Sequence, residues 1–335
     1  MDSASSTLCT VAILNYNGEG WLRKFLPGVL ANSPGAQILV YDNASTDNSL
    51  AFLATLPQVQ TVRGTQNLGF CAGYNKAFES VTTPYAILLN SDVEVTPGWL
   101  APLLARLQAN PKLAAIQPKI LSYHSKALFE YAGAAGGFVD RWGYPFCRGR
   151  IFSALEADEG QYDQDTTIFW GSGACLAVQT SVFKTLGGFD ERFFAHMEEI
   201  DWCWRAQRAG YQIGYTSAAT VYHVGGGTLS YDSPRKLYLN YRNNLLMLAN
   251  NLRGINLFST IGARLLLDGI SALHLALSGK PSAILNILKA HFAFYSLAFK
   301  KSKRVANAQV VKLAPFSIVW AFFVQKKRKF SELGL

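Results

Sequence analysis

The sequence predicts an α/β domain on a mostly parallel central sheet, followed by a helical C-terminal region. Three observations carry that prediction. Residues 10–16 (TVAILNY), 37–41 (QILVY) and 85–89 (YAILL) are short aliphatic or β-branched runs, separated by helix-length segments. Runs without polar alternation suit strands covered on both faces. Each run ends abruptly in polar or acidic residues, and ligands of open α/β sheets sit beyond the carboxyl ends of the strands. After Gly254 the composition becomes apolar and basic, which marks a second region.

In chain order, the first strand stops at Asn17-Gly18 before a helix over about 20–30, leaving Asn15 and Tyr16 at its carboxyl end. No G-x-G-x-x-G follows, which argues against a dinucleotide site. The glycine-rich basic loop of a nucleotidyltransferase is also missing. The second strand ends in Asp42-Asn43-Ala44-Ser45-Thr46-Asp47. Asp42 can accept from a base N–H or a ribose hydroxyl, while Ser45 and Asp47 read as caps of the next helix. A third strand over 59–62 leads into 66–75, where Gly69 and Gly73 permit close approach of a ligand or of a helix to a sheet. The fourth strand, closed by Pro97-Gly98, delivers Asn90-Ser91-Asp92 to a cleft; the plainer reading makes Asn90 to Glu94 a cap for a helix over 99–109.

Taken together, Leu14-Asn15-Tyr16-Asn17, the 41–47 motif, Asn67-Leu68-Gly69-Phe70 and Asn90-Ser91-Asp92 resemble the family 2 glycosyltransferases of GT-A fold, and within them the rhamnosyltransferase-like members. The resemblance implies a nucleotide-diphospho-sugar site, with Asn15 at its floor and Asp42 on the base. Asn67, Gly69 and Asn75 would lie along the nucleoside. Asp92 would be the metal-binding end of a D-x-D element in which Asn90 replaces the first Asp.

Residues 114–123 read as a strand, 129–167 as a hairpin plus mobile loop beside the acceptor site or as a surface insertion, 168–178 as a strand and 181–186 as a helix. Gly187-Gly188-Phe189-Asp190-Glu191-Arg192-Phe193-Phe194 then leads to Glu198-Glu199, and in the family this motif precedes an acidic pair holding the catalytic base. Helical spacing puts Glu198, Asp201 and Arg205 on one side, so Asp201 can pair with Arg205 while Glu199 is left off that face as the base. Three crowded carboxylates, Glu198, Glu199 and Asp201, should raise one pKa by repulsion. Residues 211–215 and 219–222 read as short strands ending in His223 and a glycine run over 225–227. By the resemblance His223 joins Asp92 at a divalent metal, Mn²⁺ or Mg²⁺. On a helix over 234–252, Arg242 would stabilise the leaving diphosphate.

The formal net charge of +9 is concentrated at one end. Residues 280–335 hold 11 Lys/Arg and one Glu, whereas the other 279 hold 20 basic and 21 acidic groups. A neutral body with a basic tail argues against a nucleic-acid enzyme, whose working face should itself be basic. Five scattered cysteines without a C-x-x-C pair give neither a disulfide frame nor a zinc knuckle. Residues 1–6 carry no charged n-region, so the protein is expected in the cytoplasm.

In the tail, charges interrupt the apolar stretches 257–277 (Arg264, Asp268) and 282–299 (Lys289), and 315–324 is short, so no spanning helix is expected. Basic clusters at 300–304 and 326–329 flank Phe292, Phe294, Phe299, Trp320, Phe322 and Phe323. That composition suits helices lying on an anionic membrane surface, at the inner face of the cell membrane. A bundle packed on the body, or a homo-oligomer interface, is the competing reading. The expected division is a GT-A domain at 1–252 and a membrane-associating region at 253–335, with a chain cut near Leu252 still binding its donor.

The implied reaction is inverting transfer of a sugar, L-rhamnose by family likeness, from a nucleotide-diphospho-sugar to a saccharide or polyprenyl-linked acceptor in cell-surface polysaccharide synthesis. A nucleotidyltransferase and a non-catalytic nucleotide-binding scaffold are the alternatives.

Overall fold

A computed structural model describes residues 7–130, 132–225, 233–300, 305 and 308–335. Residues 1–6, 226–228 and the cluster at 301–304, all used above, lie outside the described residues.

The first part of the chain alternates: β1 (Cys9–Asn15), α1 (Glu19–Asn32), β2 (Gln37–Asp42), α2 (Ser49–Leu53), β3 (Val59–Arg63), α3 (Gly69–Glu79), β4 (Tyr85–Asn90), β5 (Val93–Val95), α4 (Leu100–Ala109) and β6 (Leu113–Ser122). A small antiparallel sheet follows, of β7 (Gly137–Val139), β8 (Pro145–Cys147), β9 (Arg150–Ile151) and β10 (Ala154–Leu155). The main sheet resumes with β11 (Thr166–Ile168) and β12 (Cys175–Gln179), then come α5 (Thr180–Thr185), α6 (Glu198–Arg208) and β13 (Gln212–His223). The rest is helical: α7 (Pro234–Asn251), α8 (Gly254–Leu277), α9 (Ser282–Ala298) and α10 (Ile318–Phe323).

The main sheet has nine strands in the order β11-β13-β6-β12-β4-β1-β2-β3, with β5 added against β13. β3, β2, β1 and β4 run parallel, as the unalternated apolar runs predict; β12 is antiparallel to both neighbours. Their middles (Val11, Ala12, Ile87, Leu88) are completely buried, and each such aliphatic side chain contributes roughly 1.5–3 kcal/mol. Register then puts the polar ends on one rim, with Asn15 opposite Asp42 and Leu14 opposite Asn90. Beyond β4 the chain reverses at Ser91-Asp92, and β5 pairs with the end of β13 so that Val93 faces His223. The two short strands expected over 211–222 are one strand, irregular between Thr216 and Thr220.

The 129–167 stretch is no surface loop. Val139, Phe146, Cys147 and Ile151 of the small sheet are buried, because the end of the chain covers them: Phe330 lies 5.2 Å from Phe138 and 6.2 Å from Phe146, and Phe322 5.0 Å from Phe152. Phe294, Ile318, Phe322, Phe330 and Leu333 belong to the same core as the main sheet. Residues 253–335 therefore complete the body's packing. Two of the side chains expected at a membrane, Phe294 and Phe322, are in this core, whereas Phe292, Phe299, Trp320 and Phe323 are exposed.

α8 also departs from expectation: its 24 residues are long and apolar enough to cross a membrane, by length and composition alone. Arg264 and Asp268, expected to interrupt it, are buried as a pair (3.1 Å) facing the body, where His291 of α9 and the Tyr144 hydroxyl also reach Asp268 (3.1 and 3.3 Å). An unpaired buried charge costs several kcal/mol, so this network commits α8 and α9 to one orientation.

Two predictions follow from the shared core. A chain ending at Leu252 will be insoluble or lack a cooperative melting transition, the reverse of the expectation from sequence. Asp140 accepts the backbone N–H groups of Trp142 (2.9 Å), Tyr144 (2.8 Å) and Ile318 (2.8 Å). Asp140→Ala leaves all three without that partner and should cost about 3 kcal/mol or more in urea unfolding of the whole chain, at about 1–3 kcal/mol for each buried group left unsatisfied. Separate melting of tail and body would contradict both.

Candidate active site

The rim of β1, β2 and β4 is a polar lattice. The Asn15 amide donates to Asp42 Oδ2 (2.9 Å) and to Ser45 Oγ (3.1 Å), while the Ser45 N–H donates to Asp42 Oδ1 (2.9 Å). Both Asn15 and Asp42 are fully buried. Asp42, expected on a nucleotide base, is buried beneath the rim, where each of its oxygens accepts one hydrogen bond that shapes the turn above it. Asp47 accepts from Ser49 N (3.1 Å) and Glu19 N (2.9 Å), as a capping residue should. Asn43, given no role from sequence, binds Asn67 Oδ1 (3.0 Å), Gly69 O (3.1 Å) and the Leu68 N–H (3.0 Å), tying β2 to the start of α3.

Two residues assigned to the nucleoside do other work. Gly69 has φ +76°, and a Cβ there would stand 2.5 Å from the Phe194 ring. The N–H groups of Phe70 and Cys71 donate to Phe194 O (2.8 and 3.1 Å), so the α3 N-terminus is capped by that loop. Asn75 donates to Phe189 O (2.9 Å) and accepts from Phe189 N (2.9 Å). Gly69 and Asn75 hold the 188–194 segment rather than facing a ligand; Asn67 remains exposed.

At the end of β4, Asp92 Oδ1 lies 3.2 Å from His223 Nε2, with the Asn90 amide 3.5 Å from the same nitrogen. Behind the ring, Glu130 Oε1 is 3.4 Å from Nδ1. Glu130 is the member that sequence reasoning missed, hidden in the stretch read as a hairpin plus mobile loop or a surface insertion. Burial alone would lower the His223 pKa, but Glu130 and Asp92 outweigh it and push it up to about 10. A carboxylate behind a ligating imidazole fixes its tautomer and raises its basicity. Among the described residues no three His, Cys, Asp or Glu converge on one point. The donors nonetheless fit a hard divalent cation, which characteristically takes one or two protein ligands plus substrate phosphates.

The acidic pair begins α6. Phe194, His196 and Met197 just before it all have positive φ (65°, 71° and 72°), a strain of about 1–3 kcal/mol at each residue. α7 holds them there. The Asn243 amide reaches Phe193 O (2.9 Å), Ala195 O (2.8 Å) and His196 O (2.8 Å), and Arg242 donates to Phe193 O (2.7 Å) and Arg192 O (3.1 Å). Arg242 is buried in this grip, not aimed at a diphosphate. Asp201 is fully buried and accepts from Arg205 (2.8 Å), Asn250 (3.0 Å) and Asn251 (2.9 Å). It is a structural anchor, as its pairing with Arg205 suggested, and not a catalytic group.

Glu198 and Glu199 differ. Glu198 is buried, and burial with the repulsion of Glu199 raises its pKa well above the ordinary carboxylate range. Glu199 is partly exposed, and burial pushes it up to about 7. One carboxyl oxygen of each lacks a hydrogen-bond partner among the described residues. A Cβ on Gly173 would lie 4.0 Å from Glu199 Cβ, and the next carbonyl, Ala174 O, accepts the Asn90 N–H (3.0 Å). The 172–174 turn therefore joins Glu199 to the β4 end.

Residues 10–186 match the family model of Glycosyl transferase family 2. The chain is a family 2 glycosyltransferase. This glycosyltransferase is 28% identical over 261 residues to the N-acetylglucosaminyl-diphospho-decaprenol L-rhamnosyltransferase of Mycobacterium tuberculosis, covering 73% of this chain and 85% of that protein. It is 23% identical over 242 residues to the low-salt glycan biosynthesis hexosyltransferase Agl10 of Haloferax volcanii, covering 71% of this chain and 74% of that one. Solved structures place the fold with GT-A enzymes. GalNAc-T7 with UDP, GalNAc and Mn²⁺ superposes with a TM-score of 0.56 at 16% identity, over 73% of this chain and 48% of that one. The mannosyltransferase PcManGT from Pyrobaculum calidifontis, with GDP-Man and Mn²⁺, gives 0.52 at 15% identity, over 88% and 76%.

The Glu198 environment makes a stability prediction. A carboxyl whose folded pKa is raised loses its favourable contribution as pH rises through that pKa. Glu198→Gln keeps an acceptor for the Cys71 thiol but cannot ionise. Its melting temperature should match that of the parent below about pH 4, under the unfolded carboxyl pKa, and exceed it at about pH 9. Equal melting at both would contradict a buried, repelled carboxyl.

Proposed function

We propose that this glycosyltransferase moves an L-rhamnosyl group, with inversion, from a nucleoside-diphosphate donor to a polyprenyl-linked saccharide at the inner face of the cell membrane. The likeness to the mycobacterial L-rhamnosyltransferase supports both donor and acceptor. The observation that carries the mechanism is the half-buried Glu199, with one buried carboxyl oxygen left without a partner among the described residues, joined to the end of β4 through residues 172–174. An acceptor hydroxyl hydrogen-bonded to this carboxyl gives up its proton as it attacks the anomeric carbon. With its pKa pushed up to about 7 by burial, Glu199 can take that proton near neutrality, and burial with the repulsion of Glu199 holds the Glu198 pKa above the ordinary carboxylate range.

Asp92 and His223, with the Asn90 amide oxygen, would hold Mn²⁺ or Mg²⁺, and Glu130 would fix the His223 ring. A divalent cation there offsets the charge growing on the departing diphosphate. Asn67, exposed at the mouth of α3, is the residue of the expected nucleoside set that could meet the donor, through its amide N–H₂, since its Oδ1 already accepts from Asn43 and the Gly69 N–H.

Glu199→Gln should keep donor binding and lose about 10²–10⁴ in transfer rate, as removal of a general base does. The parent rate should fall about tenfold for each pH unit below about 7, since only the ionised carboxyl accepts a proton. A dead Glu198→Gln beside an active Glu199→Gln would reverse the assignment. Asp92→Ala and His223→Ala should each abolish the Mn²⁺-dependent part of donor binding in calorimetry, and full binding in EDTA would refute the metal role.

A further inference from the structure

α8 is built inside out. Its buried residues, Thr260, Arg264, Asp268 and Ala272, recur every four positions and face the body, whereas Phe258, Leu266, Ile270 and Leu277 stand 74%, 69%, 58% and 81% exposed. A helix packed on a protein in water presents the opposite arrangement. α9 continues the outward face with Leu285, Phe292 and Phe299. The inward charges are paired with one another: Arg264 binds Asn244 and Asp268 and lies 3.7 Å over the Tyr144 ring, and Asp268 also meets His291. The outer face is thus a broad apolar surface, far larger than scattered exposed side chains would give.

We infer that the α8–α9 face is seated on an anionic lipid bilayer, in the plane of its interface. Charge selects this occupant. Lys280, Lys289, Lys300, Lys326 and Lys329 are exposed along the same region, and the only acids from 253 to 335 are Asp268, buried, and Glu332, which accepts the Arg328 and Lys329 N–H groups. Two copies apposed through this face would bring like charges together, whereas anionic headgroups around an apolar patch neutralise them. The bound face is wired to the active site. Arg192 donates to Leu297 O (3.1 Å) and Lys300 O (3.2 Å) at the end of α9, and pairs with Asp190 at the head of the segment leading to Glu199. A lipid-linked acceptor would reach the base from that side; this clause rests on the transferase reading, and lipid binding itself does not.

The test is flotation of the full chain with phosphatidylcholine vesicles containing about 30 mol% phosphatidylglycerol, without donor or acceptor. The protein should float at low salt, bind neutral vesicles less, and keep part of its binding in high salt, because apolar burial is not screened. Leu266→Asn with Phe292→Asn should lower vesicle partitioning by more than about tenfold with unchanged melting and donor binding, since a buried large apolar side chain is worth at least that factor. Leu155→Asn, an exposed apolar site on the small sheet, should change nothing. Lys289→Glu with Lys300→Glu should weaken binding chiefly at low salt. No flotation of the parent at low salt, or flotation indifferent to the face variants, overturns the proposal. So does a parent that sediments as a dimer which the face variants dissociate. Resistance to alkaline carbonate extraction would also overturn it, in favour of a spanning helix. Each of these outcomes leaves the sugar-transfer reading intact.

Discussion

The structure depends on a polar clasp between α7 and the segment that opens α6. Asp190, Asp201 and three strained residues have to be held in one place, and asparagines and arginines do it: Asn243 on the loop carbonyls, Asn250 and Asn251 on Asp201, Arg192 on Asp190 and Arg205 on Asp201. Arg205 also donates to Leu186 O and Gly188 O, closing the double-glycine turn. Buried hydrogen bonds to charged groups contribute about 1.5–3 kcal/mol each, enough to offset positive-φ strain at three residues.

The clasp also explains why the tail cannot be a detachable anchor. α7 holds the catalytic loop on one side and packs α8 and α9 on the other. Arg192 extends the same network to the last turn of α9. Whatever surface α8 and α9 meet is therefore rigidly related to Glu199, and the inverted polarity of α8 is a property of the whole fold.

The parallel strands were legible because buried strands leave unalternated apolar runs, and their polar ends marked the rim. Asp92, His223 and the acidic pair were singled out through ordered motifs, and the structure brings Asp92 and His223 within 3.2 Å of each other. Several roles were not legible. Asp42, Gly69, Asn75 and Arg242 occupy the right stretches, yet each is consumed by a neighbour that sequence spacing cannot name: Ser45 and Asn15, Phe194, Phe189, and the 192–193 carbonyls respectively. Glu130 was hidden because its partner His223 lies far along the chain. One signal was available and unused: asparagines at 240, 243, 244, 250 and 251 in one helix. Asparagine is a poor helix former, so such a density points to side chains with buried partners. In the tail, Arg264 and Asp268 looked like interruptions because composition does not tell which way a helix is turned.

The account's central claim is that Glu199 faces the anomeric carbon of a donor whose diphosphate lies at Asp92 and His223. A crystal structure of the Glu199→Gln protein with intact nucleotide-sugar and Mn²⁺, read by anomalous scattering, tests it most directly. The account predicts the manganese peak bonded to Asp92 Oδ and His223 Nε2, with residue 199 on the face of the sugar opposite the leaving diphosphate. A manganese peak away from those two side chains, or a sugar facing Glu198, would contradict it.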